Sequence, residues 1–65
     1  MMSKRNYHNY AISLLEDSRI MHKRAQSKDE RSYFAGQIIT CVNILFNDKA
    51  ITRKEAEALT LEASN

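Results

Sequence analysis

The stretch Phe34-Ala35-Gly36-Gln37-Ile38-Ile39-Thr40-Cys41-Val42-Asn43-Ile44-Leu45-Phe46 decides how this 65-residue chain is read. Phe34, Ile38, Cys41 and Leu45 recur at three- and four-residue intervals and form one apolar row; Ala35, Ile39, Val42 and Phe46 form the row beside it. Together they make a stripe wider than the roughly 100° expected of a helix that covers one neighbour. Gly36 lies on the edge of that stripe, where a mid-helix glycine costs about 1 kcal/mol relative to Ala and close helix approach is the usual compensation. The stripe predicts a helix from Lys28 to Phe46 or Asn47 that needs cover on two sides.

What precedes it reads as a second helix and a tight turn. Tyr7, Ala11, Leu14, Ser18, Met21 and Ala25 recur at helical spacing and predict a helix over about residues 5–25, with Ser3 or Asn6 as its cap. Glu16, Arg19 and Lys23 fall on its polar side. Ala25-Gln26-Ser27-Lys28 then breaks the pattern: Ser27 with Glu30 three residues later is a capping box, and Asp29 and Glu30 suit the positive end of the new helix. A hairpin follows from this. Downstream, Asn47-Asp48-Lys49-Ala50 is a turn, and Thr52 with Glu55 is a second capping box, flanked by Ile51 and Ala56 as a hydrophobic staple. A short third helix over about residues 53–62 places Ala56, Leu59 and Ala63 inward and Arg53, Lys54, Glu57 and Glu62 outward, with the last residues fraying.

Composition agrees with an all-α single domain, residues 1–65. There is no Pro, no Trp and one Gly, which leaves too few turn-formers for a sandwich or barrel. Hydrophobic residues at 43% and charged residues at 28% give a globular balance. A lone Cys41 allows no internal disulfide, which suits a reducing cytoplasm. The N-terminal run has no apolar segment of the signal-peptide kind, and the longest apolar stretch is too short and too polar to span a bilayer.

The wide stripe admits two arrangements. In one, helices one and three cover both rows of a monomer. In the other, one row packs within the hairpin and the second forms a symmetric interface between copies. Burying a large apolar side chain is worth about 1.5–3 kcal/mol, whereas each ordered residue costs on the order of 1.5 kcal/mol. A short hairpin alone therefore balances near zero, and a homodimer adds burial with little further ordering. The expected core and dimer or partner interface is Phe34, Gly36, Ile38, Ile39, Val42, Leu45 and Phe46.

Chemistry is sparse. His8 and His22 have no partner at helical spacing and read as surface or interfacial imidazoles; with one Cys and no clustered carboxylates, no metal site has plausible ligand spacing. Cys41 reads as a small core residue. Catalysis would need a nucleophile, a base and a cleft, so no enzyme, cofactor or metal is expected. The function expected is protein–protein interaction. The alternative is a small DNA- or RNA-binding regulator. Residues 1–32 carry seven Lys/Arg against four Asp/Glu, and Arg19, Lys23, Arg24, Lys28 and Arg31 cluster about the first turn. Glu16, Asp17, Asp29 and Glu30 are interleaved with them and lower the local potential. Arg53 and Lys54 could open a recognition helix, but Glu55, Glu57 and Glu62 would face phosphates.

The segment from Gly36 through Leu45-Phe46 to Ile51-Thr52-Arg53-Lys54-Glu55-Ala56 resembles a pattern in small proteins of temperate bacteriophages: an apolar helix, a short polar turn, then Ile-Thr-x-x-Glu-Ala opening another helix. It is similar to the short helical accessory proteins of the lambdoid early region. That resemblance implies a non-enzymatic protein, acting early in the host cytoplasm, that biases host physiology or the lysis–lysogeny choice by binding proteins. It carries over no functional residues.

Overall fold

The computed structural model describes residues 4–64, with side chains from residue 6 onward. Three α-helices follow in order: α1 (Lys4–Arg24), α2 (Lys28–Asn47) and α3 (Arg53–Ser64). α2 lies between the other two and packs against both, whereas α1 and α3 touch each other only weakly. The core is Ala11 and Leu15 from α1, Ile38, Cys41, Val42 and Leu45 from α2, and Ala63 from α3. Leu45 is completely buried. The all-α hairpin with a short third helix is therefore observed, with α2 holding both neighbours.

The helix boundaries follow from the caps. Ser27 is extended, and its Oγ accepts the Glu30 N–H at 3.1 Å, which starts α2. At α3 the box is reciprocal: Thr52 Oγ1 accepts the Glu55 N–H at 3.1 Å, and Glu55 Oε1 accepts the Thr52 N–H at 3.0 Å. Hydrogen bonding from Thr52, its backbone N–H first and its side chain second, holds the Glu55 carboxyl below its ordinary value. Between them, α2 ends in a Schellman arrangement. The Ala50 N–H donates to the Leu45 carbonyl at 2.8 Å and the Lys49 N–H to the Phe46 carbonyl at 3.0 Å. Lys49 occupies the left-handed position with φ 61°, where glycine is the usual residue.

Several expectations shift. The inward face of α1 keeps Ala11 and Ser18 of the expected stripe but turns toward Leu15 and His22, away from Tyr7 and Met21. Ala11, Leu15, Ser18 and His22 are buried, while Tyr7 and Met21 are exposed. A hydroxyl, not an apolar group, sits at its centre: Ser18 donates to Gln37 Oε1 at 2.8 Å, and Gln37 Nε2 donates to the Tyr33 hydroxyl at 2.9 Å. The buried polar pair is thereby satisfied, and α1 is pinned in register on α2. Asn6 lies inside α1 and does not cap it; Ser3 lies outside the described residues. At the other end, α3 continues to Ser64 with Ala63 buried, so the expected loosening is not seen at Ala63 or Ser64; Asn65 lies outside the described residues. No atom comes within 4 Å of a Cβ placed on Gly36, so no helix of this chain approaches it closely.

The strain at Lys49 gives a direct test. Lys49→Gly relieves a left-handed Lys and gives back part of the gain through the freer unfolded chain, so a net stabilisation of about 0.5–1 kcal/mol is expected. Urea unfolding should show a higher midpoint with an unchanged slope.

Candidate functional site

The seven interface residues read from sequence divide in two. Ile38, Val42 and Leu45 are buried inside the chain, so a charge at Ile38 or Val42 breaks the core and says nothing about an interface. Phe34 is half-buried against Tyr33, the rings edge to face at 5.0 Å. Gly36, Ile39 and Phe46 are exposed. The second apolar row is thus used inward at Val42 and left open at Ile39 and Phe46.

The open part borders a groove of about 430 Å³ between α2 and α3. Val42, Asn43 and Phe46 form one bank; Ala56, Thr60, Leu61 and Ser64 form the other, with Arg53 and Glu57 at the rim. Sequence periodicity overlooked Leu61, which is 67% exposed on the outer side of α3. Its signal was there: a large aliphatic residue standing alone among the polar positions of a short helix. On another face of the hairpin, Leu14, Tyr33, Gly36, Gln37, Thr40, Cys41 and Ile44 line a second apolar hollow. Cys41 itself is buried, and burial pushes its thiol up from the ordinary value.

Two polar clamps fix where these grooves lie. Near the start of α1, His8 Nε2 meets Asp48 Oδ2 at 3.0 Å, joining α1 to the C-cap of α2. Near its end, Arg19 forks onto Glu62: Nε donates to Oε1 at 2.9 Å and Nη2 to Oε2 at 3.0 Å. This bridge ties α3 to α1 where the two helices otherwise barely meet. His8 is thus a structural partner of Asp48, and His22 is buried; neither is the surface imidazole that spacing suggested. Glu62, expected outward, faces Arg19.

The basic cluster is split in the same way. Arg19 is committed to Glu62, while Lys23, Arg24, Lys28 and Arg31 stay exposed around the first turn. Arg53 pairs along α3 with Glu57 at 3.3 Å, both exposed. Among the described residues no group of His, Cys, Asp and Glu could hold a metal ion, and no helix is long and apolar enough to cross a membrane. Compared with known proteins, the chain matches no family profile, no curated protein and no solved structure.

The Arg19 guanidinium, by hydrogen bond first and charge second, holds the Glu62 carboxyl below its ordinary value of 4.5 and is itself raised. A carboxyl depressed in the folded state stabilises fully above its unfolded value and loses that contribution as pH falls through the folded one. Wild-type stability should therefore drop as the pH goes below 4.5, with Glu55 acting in the same direction. In Glu62→Gln the drop should be shallower. Urea midpoints measured for both proteins across that acid range check the difference.

Proposed function

We propose that this chain is a non-enzymatic protein–protein interaction module, a small regulatory or accessory protein that acts as a homodimer through the α2–α3 groove. The observation that supports it is the groove itself, an apolar channel with exposed Phe46 and Leu61 on opposite banks and small side chains between them. In this reading, across a two-fold axis, Phe46 and Leu61 of one copy fill the Ala56, Thr60 and Ser64 hollow of the other. The resemblance to phage early-region proteins supplies the setting this reading adopts, in which a protein in the host cytoplasm modulates the host or the phage developmental choice.

The test uses the exposed bank, not the core. Sedimentation equilibrium of the wild type over a wide concentration range should approach twice 7.5 kDa. Leu61→Glu, at a position that contributes little to the monomer core, should keep the helical circular dichroism and sediment as a monomer. A wild type that stays monomeric at the highest concentration, or a Leu61→Glu variant that dimerises as well as the wild type, removes this interface.

A further inference from the structure

The tip of the α1–α2 hairpin holds a feature that the dimer groove does not use. His22 is 8% exposed, and its Nε2 has no hydrogen-bond partner. Whichever ring nitrogen carries the proton, Nε2 is a buried donor or acceptor whose bond is left unmade, a state that costs stability. His22 walls a shallow depression whose other sides are Lys23, Arg31 and Glu62. Lys23 and Arg31 are exposed, and among the described residues neither side chain makes a hydrogen bond or salt bridge, although the Lys23 charge acts on the Glu62 carboxylate from a distance.

The charge balance of the depression is positive. Glu62 is its one acid, and both carboxylate oxygens are already taken by the Arg19 fork. Asp29 stands two residues before Arg31, roughly 200° round α2 and so on its opposite side. Glu30 is turned about 100° away. What remains lining the hollow is one guanidinium, one ammonium and the His22 ring, whose Nε2 lies covered and without a bond; Glu16 borders Lys23 only on the far side, in a separate hollow with Arg19 and Ile20. Beyond Arg31 the surface continues into a polar hollow bordered by Ser27, Lys28 and Ser32.

We propose that His22, Lys23 and Arg31 form a binding site for a phosphate group. Arg31 has the planar fork that takes two phosphate oxygens, Lys23 supplies a compact charge from α1, and His22 Nε2–H donates from below. Nε2 is covered in the free protein, so the groups around it shift to admit the anion, and the bond gained replaces one now missing. A dianion matches the two cations that no salt bridge holds; a carboxylate would leave one uncompensated. Inorganic phosphate, a phosphate monoester and a nucleic-acid backbone share this chemistry.

The experiment is an NMR titration of the full chain with inorganic phosphate at neutral pH and low ionic strength, reading the His22 imidazole and Arg31 side-chain signals. Chloride at matched ionic strength is the control. Phosphate should give saturable shifts at both residues, and Arg31→Gln, an exposed change that leaves the helices intact, should bind about tenfold more weakly. Equal responses to chloride and phosphate, or unaltered affinity in Arg31→Gln, would overturn the site. A short DNA duplex in a parallel titration separates the sources. A tighter, salt-sensitive response at the same signals places the phosphate on nucleic acid, whereas a response to inorganic phosphate alone places it on a small molecule; either sustains the site.

Discussion

Everything in this structure depends on the burial of one face of α2: Ile38, Cys41, Val42 and Leu45. α1 contributes Ala11 and Leu15 to that core and α3 contributes Ala63, but α1 and α3 scarcely pack on each other. Neither outer helix has a core of its own. A helix as short as α3 is marginal in water by itself, so its order derives from α2 and from the bonds at its two ends. The capping box at Thr52 fixes where it starts, and the Arg19–Glu62 fork fixes where its last turn lies.

That dependence also limits which surfaces are free to bind. α2 uses Ile38, Val42 and Leu45 internally, so what it offers to another molecule is the margin of its stripe, Ile39 and Phe46, together with Leu61 across the groove. The margin is apolar but narrow. Its rim carries Arg53 and Glu57, already paired with each other along α3. At the far end, the Arg19–Glu62 fork removes one cation from the basic tip and leaves Lys23 and Arg31 beside a buried imidazole. One bridge thus orders α3 and shapes the electrostatics of the turn.

Much of this was legible in the sequence because it rests on local rules. The three helices, the Ser27 start, the Thr52–Glu55 box and the break at Asn47 through Ala50 each follow from residues within a few positions of one another. What escaped is tertiary. Ser18 falls on the stripe that spacing marks in α1, but its partner Gln37 on α2 carries no signal in the sequence. Arg19 with Glu62 and His8 with Asp48 join residues more than forty and forty positions apart in turn, which no periodicity reveals. Gly36 was read as a point of close approach from its type alone, and the chain leaves it open. Leu61 was passed over because it breaks the pattern of its helix, and its isolation is the reason it is exposed.

The central position of α2 has a kinetic consequence as well. α1–α2 and α2–α3 are two helical hairpins that share a strut, each closed by a short turn, so most native contacts are near in sequence. Chains of that kind collapse quickly because little loop entropy is lost before contacts form. Either hairpin can serve as the seed, since each contains the same apolar face. The His8–Asp48 bond needs only the α1–α2 hairpin, whereas the Arg19–Glu62 fork from α1 to α3 joins once both hairpins exist and acts as a latch on a structure already assembled. Unfolding in the native state should run in reverse, with α3 lifting from its strut while the α1–α2 pair persists.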